Sequence, residues 1–297
     1  MAGQHASGRK EAGAPQPEPA LKRLLAAASS LVLAAVMLGC PWALPPPASA
    51  NNVRLEDMES SEMREGLEAA TSGQLLKAEV ASVWSNLGNV HMSQGRAKQA
   101  LDDYSHAVAL APYAPVPYLN RAIALEELGL QLEAQGRAEE AGARWLEALA
   151  DCDSAIQRDS KEFAAWFNKG NVELRLLDYP SALSCFSTAA DLAPGIAGYR
   201  LRAAQLLFQC GQPEVAVRTV KGVLRKNPTY AEAHTTLAAM LWSQGQVAAA
   251  EGQLEAALEL GGRWRDADWV AANTRWPPLL TGALERLVVI GDAQPTA

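Results

Sequence analysis

The sequence predicts an all-α protein, a right-handed α-α superhelix (solenoid) of about five helix-turn-helix units with capping helices at both ends. Three observations predict it: small residues recur at three fixed points of each unit, glycines end most first helices, and prolines close most units. Four of the five units share a 34-residue frame, and such a period is typical of solenoids. The small residues mark places where helices cross closely. They are Gly88, Ala100 and Ala107; Ala122, Ala148 and Ala155; Gly170, Ala182 and Ala189; Ala204, Ala216 and Val223; and Ala238, Ala250 and Ala257.

Each unit is predicted to consist of a helix A, a turn and a helix B. In the first unit Trp84 lies on the apolar face of helix A and Gly95 ends that helix. Tyr104 faces inward from helix B, and Pro112 closes the unit. The later units repeat this pattern with Trp166, Gly170, Phe186 and Pro194; with Leu207, Gly211, Ala216 and Pro228; and with Leu237, Leu241, Gly245 and, in place of the proline, Gly262.

The second unit has lengthened helices. Its turn glycine, Gly136, comes 41 residues after Gly95, and Ala148 comes 48 after Ala100. Each helix has therefore gained seven residues, which is close to two helical turns and keeps the apolar face aligned. We expect a long hairpin, from Pro117 to about Gln135 and from Arg137 to about Arg158, that projects beyond its neighbours. It is either a neutral insertion or a docking surface.

Both ends of the stack are expected to carry capping helices, because a solenoid otherwise leaves apolar faces open. Leu55 to Val80 is predicted to form one or two degenerate helices. Asp266 to Ala272 reads as a short helix with Trp276 beneath it, and Pro277 and Pro278 begin a final helix. The predicted regions are a presequence, 1–50; an N-terminal cap, 51–80; five units, 81–114, 115–162, 163–196, 197–230 and 231–262; and a C-terminal cap with tail, 263–297.

The first fifty residues have the order of an export signal. Lys22 and Arg23 precede an uncharged run, 24–38, which is followed by prolines and by the small triplet Ala48-Ser49-Ala50. This order predicts cleavage after Ala50. Two alternatives stay open: residues 24–44 are retained as a membrane anchor, since 21 uncharged residues are long enough to span a bilayer, or Cys40 is a bacterial lipoprotein site.

The charge balance argues against nucleic acid as a partner. The formal net charge is −7, and removal of residues 1–50 leaves 22 basic and 31 acidic side chains. Binding to phosphate backbones depends on clustered Lys and Arg, and no basic stripe is present. Stable association with an anionic membrane is disfavoured for the same reason. A protein partner is the expectation.

No motif of an enzyme, metal site or cofactor site is present in the sequence. It lacks a catalytic Ser/His/Asp order, a His-Glu-x-x-His motif and a phosphate-binding glycine loop. Asp151 and Asp153 point apart on a helix, so we expect no metal between them. Cys152, Cys185 and Cys210 have neither metal nor disulfide spacing. Cys152 takes the place of the aromatic residue in helix B of its unit and is expected to be a small buried side chain. A redox-responsive regulator acting through these cysteines remains an alternative function.

The repeat pattern resembles the tetratricopeptide repeat over residues 81–262. The residues that carry the resemblance best are Trp84-Ser85-Asn86-Leu87-Gly88 and the run from Tyr104 to Pro112. This resemblance implies a non-enzymatic scaffold that binds a protein or extended peptide in a concave groove. The family members that bind chaperone tails hold a carboxylate with basic residues, whose positions here are occupied by Ser85, Ala164 and Asn168. A clamp for chaperone C-terminal tails is therefore not expected.

A second resemblance is to the thylakoid-lumen tetratricopeptide proteins of plants, algae and cyanobacteria. It is carried by the leader before the export signal and by whole phrases of the sequence. It implies the chloroplast thylakoid lumen and a role in assembly or maintenance of thylakoid complexes, with a bacterial periplasmic or lipoprotein adaptor as the alternative. The phrases are Asn86-Leu87-Gly88-Asn89, Pro117-Tyr118-Leu119-Asn120-Arg121-Ala122, Trp166-Phe167-Asn168-Lys169-Gly170-Asn171 and Arg275-Trp276-Pro277-Pro278.

The predicted binding site is the inner wall of the superhelix, which the A helices line. Asparagines occupy the sixth place of the first three units and the ninth place of the first and third. They resemble the asparagine row of some tetratricopeptide domains, and amides can bond a peptide backbone. Alternatively, these amides cap or bridge neighbouring units, and Phe208 and Trp242 are core residues. The predicted groove residues are Asn86, Asn89, Asn120, Phe167, Asn168, Asn171, Leu201, Arg202, Gln205, Phe208 and Trp242.

Overall fold

The structure, a computed structural model, describes residues 77–293, with side chains through residue 289. The predicted presequence, residues 51–76 of the predicted N-terminal cap and the last four residues lie outside this range. Residues 77–293 form twelve α-helices and one 3₁₀ turn, with no strand. The helices are α1 (Lys77–Ser93), α2 (Ala97–Leu110), α3 (Pro115–Ala134), α4 (Ala138–Arg158), α5 (Phe163–Arg175), α6 (Tyr179–Leu192), α7 (Ala197–Gln209), α8 (Pro213–Lys226), α9 (Ala231–Ser243), α10 (Val247–Leu260), α11 (Ala267–Asn273) and α12 (Pro278–Ala293).

The first ten helices form five antiparallel hairpins, which confirms the predicted solenoid. Within each unit helix A packs on helix B, from α1 on α2 to α9 on α10, and each helix B packs on the next helix A. All fifteen small residues of the repeat are buried, and most of the alanines among them have no exposed surface. The small positions therefore are the crossing points of the helices, as their spacing predicts.

Glycine ends helix A where the backbone turns back. At Gly95 φ is +74°, a conformation that side chains disfavour, and the N–H of Arg96 donates to the carbonyl of His91 at 2.9 Å. Gly136, Gly211 and Gly245 adopt the same conformation. In the third unit Leu177 takes this place with φ of 62°, and a non-glycine residue there costs about 1 kcal/mol.

A second glycine in helix A accepts an aromatic ring from helix B. A Cβ on Gly88 would meet the ring of Tyr104 at 2.5 Å, and one on Gly170 would meet Phe186 at 2.9 Å. Both distances are shorter than carbon atoms allow, so only glycine lets the two helices approach this closely. These pairs explain why the small residue and the aromatic residue recur together.

The second unit contains the same pair at a place that the sequence analysis missed. Gly129 lies seven residues before Gly136, as Gly88 lies before Gly95, and the indole of Trp145 covers it. The aromatic partner of this unit is therefore Trp145. Cys152 takes the aromatic position when residues are counted back from the end of helix B. Its side chain is small and fully buried, as predicted.

The lengthened hairpin projects beyond the first unit. Helices α3 and α4 have 20 and 21 residues, whereas α2 and α5 to α10 have 13 or 14. The amide of Gln131 donates to the carbonyl of Gly95 at 3.4 Å, so the first turn lies level with Gln131. The turn at Gly136 comes five residues later, which corresponds to about 7 Å along the helix axis.

The C-terminal helices follow the predicted order but not the predicted position. The 3₁₀ turn (Gly262–Arg265) contacts α10, and α11 contacts that turn, near the end of the stack. The final helix, expected as a cap at this end, instead packs on α9 and α7. The reason is its apolar face of Leu280, Leu284 and Leu287, which joins the core of the fourth and fifth units. None of the helices within residues 77–293 has the length and apolarity needed to cross a bilayer.

Candidate functional site

The A helices line the inner wall of the superhelix. In the described chain α1 contacts α3, α3 contacts α5 and α7 contacts α9, whereas consecutive B helices contact each other less. The side of a curved stack on which consecutive helices lie closer is its concave side. Concave walls of this kind are the binding surfaces of solenoid proteins. The candidate site is therefore the wall formed by α1, α3, α5, α7 and α9.

A cavity of about 250 Å³ opens on this wall between α1 and α3. Small side chains of α1, such as Ala81 and Ser85, leave the space, and the loop 111–114 borders it. Tyr113 and Val116 lie at its rim with 67% and 37% of their surface exposed. The lining of the cavity is mostly apolar and carries a few serine and asparagine side chains, a combination suited to a peptide segment.

Three of the predicted asparagines line this cavity: Asn86, Asn89 and Asn120. Asn120 is only 8% exposed, and its amide makes no hydrogen bond within residues 77–289. The hydroxyl of Tyr104 donates to Oδ1 of Asn89 at 2.7 Å, which leaves the Asn89 NH₂ available. Burial raises the pKa of Tyr104, so its hydroxyl stays protonated and keeps donating at neutral pH. Asn89 and Asn120 therefore present free donors and an acceptor to a ligand.

The predicted residues of the third unit lie apart from this cavity. The Asn168 amide donates to the carbonyl of Ala164 in its own helix at 2.8 Å. Asn171 is fully buried, and neither of its amide atoms has a partner in the described structure. Phe167 packs against Tyr199, with ring centroids 4.4 Å apart. The predicted row of amides therefore meets the cavity only in the first two units.

The predicted residues of the fourth and fifth units are brought together, but the chain's own C-terminal segment covers them. Leu201 and Gln205 are 1% and 0% exposed. Nη2 of Arg202 lies 3.4 Å from Oε1 of Glu232, and the indole of Trp276 donates to the same oxygen at 3.0 Å. The remaining predicted residues, Phe208 and Trp242, pack on the same apolar cluster.

The rim of the cavity and the place of α12 were not predicted from the sequence. Nothing in the repeat pattern distinguishes Tyr113, because it lies in a connection between two units. The position of α12 had a usable signal: Leu280, Leu284 and Leu287 are spaced by four and three residues, as on one helical face. A terminal helix with such a face needs an apolar surface, and the wall of the last units offers one.

The cysteine thiols are poorly suited to redox chemistry. Burial raises the pKa of Cys152 and of Cys185, and it also raises the pKa of the half-buried Cys210. The thiolate is the reactive form, and a raised pKa keeps the thiol protonated at neutral pH. No observation in the structure therefore favours a redox-responsive regulator.

The two aspartates beside Cys152 point apart, as predicted. Both carboxylate oxygens of Asp151 accept hydrogen bonds of 2.7 Å from Arg121. Asp153 accepts one of 2.7 Å from Lys169 of the next unit. Each carboxylate is thus bound to a separate cation, and the pair joins neighbouring helices. Among the described residues no group of His, Cys, Asp and Glu is arranged to hold a metal.

Comparison with protein-family models finds matches along most of the repeat region. Residues 81–114 match one model described as a tetratricopeptide repeat, and residues 134–197 and 201–267 match a second model with the same description. Together the matches cover more than half of the chain. They indicate no catalytic family.

Solved structures with similar folds include the following three proteins. MamA (41-end) of Desulfovibrio magneticus RS-1 has a TM-score of 0.52 at 20% identity, covering 63% of this chain and 97% of its own. PilF of Pseudomonas aeruginosa has a TM-score of 0.52 at 14% identity, covering 74% and 95%. YrrB, described as having an unusual peptide-binding site, has a TM-score of 0.50 at 16% identity, covering 70% and 95%. At these identities the similarity shows the fold alone.

One curated relative is intraflagellar transport protein 70A of Bos taurus. It is 32% identical over 122 residues, which are 40% of this chain and 18% of that protein. The similarity thus spans less than a fifth of the relative, and it concerns the repeat fold.

Proposed function

The chain belongs to the tetratricopeptide repeat family, and we propose from this premise that it is a non-enzymatic adaptor that binds an extended segment of a partner protein. The observation that carries the proposal is the cavity between α1 and α3, into which the nine-tenths buried Asn120 presents an amide without a partner among the described residues. The Asn120 side chain lines the cavity, and a bound peptide backbone supplies both a donor and an acceptor for its amide.

The rim of the cavity supplies the apolar part of the binding energy. Tyr113 exposes two thirds of its surface beside the cavity, and tyrosine is enriched among the residues that dominate interface energies. The proposed ligand is therefore a short extended segment that bonds the amides through its backbone. It places one apolar side chain against Tyr113 and Val116.

A peptide-display selection against the purified full chain tests this function. The binding of selected peptides is then measured by fluorescence anisotropy for the wild type, Asn120→Ala and Tyr113→Ala. We expect Asn120→Ala to weaken binding about 3- to 10-fold, the value of one hydrogen bond, and Tyr113→Ala about 30-fold. Leu146→Ala is the control, because Leu146 is 58% exposed on α4 away from the cavity.

Circular dichroism and thermal melting of all four proteins establish that the substitutions leave the fold intact. Peptides that bind wild type, Asn120→Ala and Tyr113→Ala equally, or that lose affinity for Leu146→Ala, would contradict the placement of the site. A failure to select any peptide that competes for this cavity would contradict the proposed adaptor function itself.

The cellular setting that we propose is the thylakoid lumen, with assembly or maintenance of thylakoid complexes as the role. Support comes from the sequence: the leader, the export-type segment and the phrases shared with lumenal proteins. The periplasm is the alternative. Import into isolated chloroplasts, followed by protease treatment and N-terminal sequencing, tests the setting. We expect a protected product that starts at Asn51, and a product that keeps residues 24–44 would contradict it.

A further inference from the structure

The C-terminal segment lies on the inner wall as a bound ligand does. Helix α12 contacts α9 and α7, which are both A helices, and so it lies on the side of the stack that solenoids use for binding. Leu280, Leu284 and Leu287, each at most 1% exposed, point into the wall. An amphipathic helix that lays such a face into a groove is a recurrent mode of peptide recognition.

The surface beneath α12 combines apolar and polar side chains. Besides the apolar residues of the core, the wall beneath α12 contains the buried Gln205, Glu232 and Thr236. Gln205 donates to Thr236 at 3.1 Å, and Tyr230 donates to the second oxygen of Glu232 at 3.4 Å. A mixture of anchoring apolar residues and satisfied polar groups is characteristic of a binding interface.

Polar contacts fix the start of the helix. Nη2 of Arg275 lies 3.2 Å from Oε1 of Glu126 in the second unit, and Trp276 donates to Glu232 in the fifth. The backbone N–H of Leu279 donates to Oε1 of Gln209 at 3.0 Å. Before its apolar anchors the segment thus presents a guanidinium, an indole N–H and a backbone N–H at the start of the helix. Each of the three groups contacts a polar side chain of the wall.

The connection that carries α12 leaves it room to dissociate. Residues 261–277 form a 3₁₀ turn, the seven-residue α11 and extended backbone, and in them only Val270, Trp276 and Pro277 are buried. Release of the segment from Arg275 onward would break contacts to α7, α9, α11 and Glu126 but would leave the five hairpins paired. A tether of this length gives the attached helix an effective concentration on the order of millimolar.

We infer that the inner wall of the fourth and fifth units is a receptor for an amphipathic helix, and that α12 occupies it as an intramolecular ligand. The partner is a helix with the chemistry of α12: an arginine and a tryptophan followed by leucines four and three residues apart. Such a helix competes with α12 for the wall, so the docked α12 lowers the apparent affinity of the protein for its partner. This surface is separate from the cavity between α1 and α3, and the two inferences can fail independently.

A synthetic peptide of residues 274–289 with an N-terminal fluorophore is the probe, and the full chain is the receptor. Wild type should bind it weakly, because the tethered copy competes. Leu284→Ala removes one anchor of the tethered helix, and we expect at least a tenfold gain in affinity for the peptide. Val289→Ala, on the same helix but 68% exposed, should bind as the wild type does.

Arg275→Ala provides a second variant that keeps the apolar core intact. It should bind the peptide about 3- to 10-fold more tightly than the wild type. Hydrogen exchange should show faster exchange in α12 with unchanged protection of α3 to α6. Circular dichroism confirms that each variant is folded, and a scrambled peptide controls for non-specific binding.

The inference is overturned if folded Leu284→Ala and Arg275→Ala bind the peptide no better than the wild type. Equal binding of the peptide that itself carries Leu284→Ala would overturn it too, since the anchor would then play no part. In either case α12 is a permanent element of the core.

Discussion

The two halves of the inner wall have the same repeat frame but opposite occupancy. Between the first and second units the described residues leave a cavity on the wall, and the amide of Asn120 has no hydrogen-bond partner among them. In the fourth and fifth units the wall is filled, because α12 places three leucines on it and Trp276 bonds Glu232. The comparison teaches that repeat position alone does not identify a binding residue. What a later segment of the chain places on the wall decides which positions remain accessible.

The largest expected effect concerns the filled half. Leu284→Ala removes a side chain with no exposed surface and should lower the free energy of unfolding by about 3 kcal/mol. Leu279→Ala, on the outer side of the same helix, should change it by less than about 0.5 kcal/mol. Urea denaturation measures both. Equal, small effects would show that α12 does not pack on the wall.

The second prediction concerns the lengthened second unit, whose helix α3 forms one side of the cavity. Gly129→Ala places a methyl group against the indole of Trp145, so we expect a loss of about 2 kcal/mol. Gly142→Ala, in the interior of α4 with open space around it, should instead gain about 0.5 kcal/mol from helix propensity. Thermal unfolding followed at 222 nm compares the pair. A stable Gly129→Ala protein would show that the two long helices are not held together by this contact.

The smallest effects come from single hydrogen bonds in each half. Trp276→Phe removes the donor to Glu232, and we expect a loss of about 1.5 kcal/mol because a buried carboxylate loses a partner. Tyr104→Phe removes the donor to Asn89, and about 0.5 kcal/mol is expected because Asn89 is half-buried and open to water. Chemical denaturation measures the free energy of unfolding of both variants and shows which loses more. The reverse order would indicate that the open half is the more tightly packed one.

The repeat units were predicted well from the sequence because their period is marked by positions at which only one type of residue fits. Gly88 and Gly170 must lack a side chain where an aromatic ring crosses, and Gly95 must adopt a positive φ. These constraints act within about fifteen residues, so spacing reveals them. In the second unit the same constraint is present at Gly129. Because the helices of this unit are lengthened, counting from the end of helix B places the aromatic position at Cys152, whereas counting from the turn gives Trp145.

The candidate site was predicted less completely, because it depends on contacts between distant parts of the chain. Asn86, Asn89 and Asn120 meet at one cavity as the frame predicts. Leu201 and Gln205 face the same wall, but a helix some eighty residues later covers them. The repeat pattern of the fourth unit does not indicate that contact. The sequence signal for it is the leucine spacing of the terminal helix, and where that helix docks depends on the assembled superhelix.

The most direct test of the divided wall is a crosslink within the full chain. Cysteines replace Gln209 and Leu279, which a 3.0 Å hydrogen bond joins, in a background with Cys210→Ser. A short bifunctional thiol reagent should link residues 209 and 279 within one molecule, as mass spectrometry of the digested monomer detects. A matched pair, Ser82→Cys with Leu279→Cys, should stay unlinked because Ser82 lies at the open cavity. A missing 209–279 link, or a link from 82 to 279, would contradict the account.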